Sequence, residues 1–154
     1  SARRVQPVAP VLERVQRMAQ SAAASRQVQV VLEMDETLPE ADVDSLALEQ
    51  VLLNLLLNAI EAAPHGSDVA MRCTAHDGDL TVAVRDKGEG VPPGIREHVF
   101  DPYFTTKPEG TGLGLAVSRE LVLRHEGVLE LESEIGPAPG STFVVRLPLR
   151  RKAA

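Results

Sequence analysis

Apolar residues recur at helical spacing over residues 8 to 24, where Val8, Val11, Leu12, Val15, Met18 and Ala19 fall on one side of a 3.6-residue repeat. The run VQVVLEM, 28 to 34, is rich in β-branched residues and predicts a strand, with DETLPEADVD after it as a loop. A second helix is expected from about 45 to 63, capped by Asp44 or Ser45 and stopped at Pro64 with the turn PHGS. Two strands follow at 67 to 75 and 79 to 86, joined by a turn around HDGD. Residues 87 to 112 hold five glycines and four prolines, which excludes one continuous element and leaves a short helical turn near PGIREHVF. Helix resumes at about 113, runs to about 125 and is closed by Gly127. VLELESE and STFVVRLPL, separated by IGPAPG, are the last two strands.

The order α-β-α-β-β-loop-α-β-β predicts an α+β fold, with helices gathered on one face of a mostly antiparallel or mixed sheet. Strands do not alternate with helices throughout, so a Rossmann arrangement fits poorly. A single domain is expected over residues 1 to 154. The chain opens on Ser, not Met, which points to a processed or excised piece of something longer.

Composition narrows the function classes. A formal charge of −6 argues against general nucleic-acid binding, and the basic end RLPLRRK is expected to be a solvated tail. No apolar run approaches the ~20 residues that span a bilayer, and no signal-peptide pattern opens the chain. The single cysteine, Cys73, excludes an internal disulfide framework and fits a small buried side chain in DVAMRCTA. Neither it nor His65, His76, His98 and His125 has zinc-like spacing, and each histidine is expected at a surface or turn. With aromatics at only 3%, the core must be built from Leu, Val, Ile and Ala.

Four segments carry candidate chemistry. In QVLLNLLLNAIEA, Asn54, Asn58 and Glu61 fall at i, i+4 and i+7 along a helix whose other side is leucine-rich. Two accounts stay open for the amides: satisfied core groups, or a ligand row facing a cavity, where a carboxamide oxygen suits Mg²⁺. In VRDKGEGVP, Asp86 ends a strand and Gly88 and Gly90 follow. This is either a surface turn or a carboxylate acceptor for an exocyclic amine, with glycines leaving room for a flat ring. FDPYFTTKPEG concentrates Phe100, Tyr103 and Phe104 in one loop of a chain that has only four aromatic residues, and Lys107 follows as a cation able to reach a phosphate. GTGLGL, 110 to 115, frees several backbone N–H groups before a helix N-terminus, which favours an anion. It is not a Walker A motif, since no Gly-Lys-Ser/Thr follows.

Together the four segments resemble the catalytic, ATP-binding domain of sensor histidine kinases, within the superfamily shared with type II topoisomerases, mismatch-repair ATPases and heat-shock chaperones. The resemblance runs from about residue 8 to 149, with NLLLN as the N box, DKGEG as the first glycine box, FDPYF as the F box and GTGLGL as the second. PYFTTKPEGTGLGLAVS looks most like kinases of the nitrogen-regulation type. The resemblance implies a Bergerat-type two-layer α/β sandwich, a mixed sheet of about five strands covered by about three helices. It also implies ATP and Mg²⁺, with Asn58 on the metal and phosphates and Asn54 in support. Asp86 would accept from the adenine amino group, joined through a water by Thr142, and Gly88 and Gly90 would shape the base pocket. Tyr103, Phe104 and Lys107 would contribute from the lid, and Gly110, Thr111, Gly112, Leu113, Gly114 and Leu115 from the phosphate loop. Two departures stand out: Tyr103 where Phe is usual, and Glu61 where some relatives carry a basic residue.

The hydrolytic relatives carry a Glu four residues before the Mg²⁺-binding Asn, as base for the attacking water. Here that position is Asn54, which cannot take a proton at neutral pH, and this favours phosphoryl transfer to a protein. A hydrolytic ATPase, or an anti-sigma-type serine kinase or nucleotide-binding switch, are the alternatives. The implied partners are a separate dimerisation and phosphoacceptor histidine domain and a downstream response regulator. The expected setting is the cytoplasm, with no membrane contact by this domain, a monomeric fragment, and a homodimeric parent for which a membrane anchor stays open.

Overall fold

The computed structural model describes residues 2–107 and 110–149. Arg150, Arg151 and Lys152 of the basic tail lie outside the described residues. Along the chain come β1 (Arg4–Gln6), α1 (Ala9–Ser25), β2 (Gln29–Met34), β3 (Ala41–Val43), α2 (Ser45–Ala62), β4 (Asp68–His76) and β5 (Asp79–Asp86). The single turn α3 (Pro93–Arg96), then α4 (Gly114–Arg124), β6 (Val128–Glu134) and β7 (Gly140–Pro148), complete it.

Five strands form one mixed sheet in the order β2-β4-β5-β7-β6, parallel between β2 and β4 and antiparallel elsewhere. The β4–β5 hairpin turns on Asp77 and Gly78, both at positive φ (52° and 82°), as a two-residue primed turn demands. The expected α+β class is therefore observed, with four helices among the described residues. The loop expected after β2 instead contains β3, which pairs antiparallel with β1 in a separate two-stranded sheet. Three residues are too few to show an alternation.

Register assigns the two faces of the sheet. Residues paired across antiparallel strands point the same way, so Met71, Val84 and Phe143 line one side together with Cys73, Val82, Val145 and Leu129. This side carries the helices and buries the core with Val11, Leu12, Val15 and Ala19 of α1 and Leu48, Val51, Leu52, Leu55, Leu56 and Ile60 of α2. Met18 leaves the stripe and is exposed. Burial pushes the Cys73 thiol up to about 12, so it is a packing group and not a nucleophile.

The α2 helix is long and apolar enough to cross a membrane by length and composition alone, yet it lies across the sheet as the central core helix. Asp44 caps it by accepting from the N–H groups of Leu46 and Ala47. At its other end Arg26 donates to the carbonyls of Ile60 and Glu61, at 3.2 and 3.0 Å, where a cation also meets the negative end of the helix dipole.

Replacing Asp44 with Ala should cost about 1 kcal/mol, or ~2–4 °C in Tm for a domain of this size. The capping bonds, that from Ala47 foremost, hold the Asp44 carboxyl below its ordinary 3.8. A depressed carboxyl stabilises above its unfolded value and loses that contribution as pH falls through the folded one. Melts of D44A and wild type at about pH 7 and about pH 2 should differ at the first and converge at the second.

Candidate functional site

The amide row lies along the side of α2 turned toward α4. Asn54 and Asn58 are half-buried and Glu61 is exposed on the last turn. The Asn54 Nδ2 donates to the buried Ser118 hydroxyl on α4 at 3.2 Å. Its Oδ1 lies against Gly114, where an added Cβ would come within 2.6 Å of that oxygen. Only glycine allows α4 to begin this close to α2. An open cleft of about 190 Å³ continues the row, lined by Gln50, Asn54, Leu113, Gly114, Val117 and Ser118.

Asp86 ends β5 on the helix side of the sheet and is 4% exposed. Its Oδ1 accepts from the Gly88 N–H at 2.8 Å. Burial raises its carboxyl above the ordinary value, and backbone N–H bonds at Gly88 and Ser141 oppose this. Gly88 lets the turn pass beneath α2, because an added Cβ would meet the Ala62 carbonyl at 2.6 Å. Gly90 packs on the backbone of Glu134. Asp86, Gly88 and the last turn of α2 are thereby brought together.

Thr142 is not beside Asp86. The cross-strand partner of Asp86 is Ser141, whereas Thr142 pairs with Arg85 and points to the opposite face. One step along a strand reverses the side chain, and the sequence alone did not give the parity. Ser141 and Ser133, both buried, approach each other at 3.1 Å through their hydroxyls. Ser133 also accepts from the Val91 N–H at 2.6 Å, and the Arg96 side chain donates to the Val91 carbonyl at 2.8 Å. These groups hold the loop after Gly90, and buried serines facing the core side of two edge-proximal strands were their available sequence signal.

The aromatic loop is anchored by Phe100, which meets Phe143 edge-on with centroids 6.0 Å apart and carries the Arg119 guanidinium over its ring at 5.8 Å. Tyr103, expected at the ligand, is 75% exposed and adopts φ 68°. Its N–H donates to the Gly112 carbonyl at 2.8 Å and joins the two arms of the loop. Phe104 is half-buried against His98, with ring centroids at 6.0 Å. Gly110 packs on the Thr105 hydroxyl, the Thr111 hydroxyl accepts from the Leu113 N–H at 3.3 Å, Leu113 is exposed, and Leu115 packs against the core.

Lys107 reaches α2. Its Nζ donates to the Asn58 Oδ1 at 3.2 Å and forms an ion pair with the Glu61 carboxylate. Three of the histidines are exposed as expected, but His125 is buried. Its Nε2 accepts from the Asp44 N–H at 3.0 Å and its Nδ1 donates to the Leu121 carbonyl at 2.8 Å. A histidine at a helix end before a glycine gave no hint of this tie between α4 and the α2 cap.

The profile of the histidine kinase-, DNA gyrase B- and HSP90-like ATPases matches residues 43–151. The sensor histidine kinase ZraS of Escherichia coli (strain K12) is 41% identical over 127 residues, which are 82% of this chain and 27% of that protein. The chain thus spans little more than a quarter of that curated relative. Among solved structures, the mycobacterial sensor histidine kinase MprB superposes with a TM-score of 0.85 at 28% identity, over 98% of this chain and 100% of that chain. Full-length ShkA in complex with AMPPNP gives 0.87 at 27% identity, over 99% of this chain and 32% of that one.

Asp86→Asn keeps an acceptor for the Gly88 N–H and removes the buried charge. A carboxyl raised above 3.8 favours folding fully below that value and loses this as pH rises through the folded one. D86N should therefore melt at or above wild type near pH ~7, with its advantage fading below pH ~4. A D86N melt clearly below wild type at neutral pH would show the charge to be fully compensated in the fold.

Proposed function

The chain belongs to the histidine kinase-, DNA gyrase B- and HSP90-like ATPase family, as an ATP-binding catalytic domain of the sensor histidine kinase kind, and on that premise we propose that it transfers the γ-phosphoryl group of ATP to a histidine on a separate phosphoacceptor domain. The observation that carries this reading is Asn54. It stands where a hydrolase would need a base, it is an amide, and its nitrogen is committed to Ser118 while its oxygen packs on Gly114. Neither end has capacity to take a proton from water.

In this reading Asp86 accepts from the adenine amino group, with the Ser141 hydroxyl, in place of Thr142, as its neighbour at the base edge. Gly88 and Gly90 leave room for the flat ring. Lys107 and the backbone from Gly110 to Gly114 hold the phosphates, where several N–H groups precede the α4 N-terminus. AMPPNP in the ShkA complex, a nucleotide with a triphosphate-like chain, supports a site of this type.

Asn58 fits a Mg²⁺ role by its donor chemistry. Mg²⁺ takes one or two oxygen ligands from protein and fills its sphere with phosphate and water, so a single half-buried carboxamide oxygen is a suitable set. When bound, the ion would neutralise charge on the phosphates. The chain's own groups orient the nucleotide and offer no base to a competing water. The incoming imidazole nitrogen bonds to the γ-phosphorus as the bond to the bridging oxygen breaks, ADP leaves, and the imidazole proton passes to a base of the acceptor domain or to solvent.

Residues 1 to 154 act here as one domain of a longer kinase that works as a homodimer in the cytoplasm, and the phosphoryl group passes on to a response regulator. The histidines of this chain are not offered as the acceptor: His125 is buried with both nitrogens engaged, and at the surface His76 lies against Asp77 and His98 against Glu97 and Asp101.

Incubated with radiolabelled ATP and Mg²⁺, the chain should bind nucleotide without labelling itself, and should label an added acceptor domain. Stable phosphohistidine on the chain alone, or steady phosphate release, would overturn the reading. By calorimetry D86N should lose at least about tenfold in ATP affinity, the worth of one hydrogen bond to a charged acceptor, while still folding.

A further inference from the structure

We propose that Glu61 is an internal competitor of the nucleotide: its carboxylate holds Lys107 on the last turn of α2 in the place of a phosphate, and so sets the affinity for nucleoside polyphosphates. The proposal rests on the nucleotide reading above and deepens it.

The last turn of α2 is a cation-seeking place. Its final carbonyls and the negative end of its dipole face this region, and Arg26 already satisfies the Ile60 and Glu61 carbonyls from one side. Asn58 and Glu61 stand at i and i+3, so their side-chain oxygens project from the same side of the helix. Lys107 spans both, with its Nζ on the Asn58 Oδ1 at 3.2 Å and on the Glu61 carboxylate. It comes from the loop 46 residues away in sequence, between Phe100, anchored on Phe143, and Gly114, pinned on Asn54.

One ammonium therefore occupies both the carboxamide proposed for the metal and phosphates and the carboxylate one turn further on. A polyphosphate chain that engages Lys107 has to exchange it out of the Glu61 pair, and that chain, once bound, lies close to a fixed negative charge. Both effects act only on ligands with phosphates. An acidic residue at a position where some relatives carry a basic one thus weakens phosphate binding in proportion to what the ion pair is worth. Glu61 and Lys107 are about half exposed, at 53% and 47%, so this is a modest effect.

The test is calorimetric titration of wild type, Glu61→Gln, Lys107→Gln and the double variant with ATP–Mg²⁺ and with adenosine. E61Q should bind ATP about two- to five-fold more tightly than wild type, the range of an exposed ion pair, and adenosine equally well. The gain should shrink in the Lys107→Gln background, to what charge repulsion alone contributes. Unchanged or weaker ATP binding by E61Q overturns the proposal, as does the same gain without Lys107, which would be repulsion alone.

A second readout needs no nucleotide. In the ligand-free chain, hydrogen exchange at the Tyr103 and Lys107 amides should speed in E61Q, because the loop loses its hold on α2. Unchanged exchange there overturns the latch even if Lys107→Gln is too weak a binder to titrate. Failure of the wild-type chain to bind ATP at all would instead sink the nucleotide reading, and the two failures are distinct.

Discussion

The closeness of α4 to α2 is the constraint on which the rest of the site depends. Gly114 begins α4 against the Asn54 Oδ1, and a methyl group there would sit 2.6 Å from that oxygen. One turn later the Ser118 hydroxyl receives the Asn54 Nδ2. At the far end of α4, His125 accepts from the N–H of Asp44, the residue that caps α2. Two ties, one at each end, fix one helix against the other in both position and angle. The glycine loop that precedes α4 inherits this placement, while its other arm is held by Phe100 on Phe143 and by the Tyr103–Gly112 hydrogen bond.

Stability and chemistry divide between the two sides of α2. Leu52, Leu55 and Leu56 are fully buried, each worth about 1.5–3 kcal/mol by area removed from water. The amide row adds little to that sum and leaves polar groups at the edge of a cleft. Asp86 goes further, since a carboxylate held on the core side of the sheet costs folding energy at neutral pH, as its raised pKa records. A fold that keeps such a group against its own stability has the usual mark of a site selected for binding and not for packing.

The periodic elements were legible because each buries one side only. Leu48, Val51, Leu52 and Leu55 write a helical stripe, and DLTVAV writes an alternation, so α2 and β5 were found almost to their ends. What escaped depends on contacts that sequence spacing does not encode. β1 and β3 are three residues each and take their form from pairing with one another. Thr142 and Ser141 differ by one position, and only the register with β5 tells which of them shares a face with Asp86. His125 follows an ordinary helix end, and its role arises from a partner 81 residues away.

The same distinction bears on water as an acceptor. Read along the sequence, Asn54 is a missing base, which is an argument from what is absent. In the fold it is a group already in use, with its nitrogen committed to Ser118 and its oxygen closing the gap to Gly114. A Glu at that position would offer no N–H to Ser118 and would bring a charge against the start of α4, so the exchange is not a neutral one. The helix contact that positions the glycine loop and the lack of a base for water therefore rest on one side chain. On the function proposed above, this chain's part is to position a phosphoryl donor, and the proton is managed by the protein that supplies the acceptor.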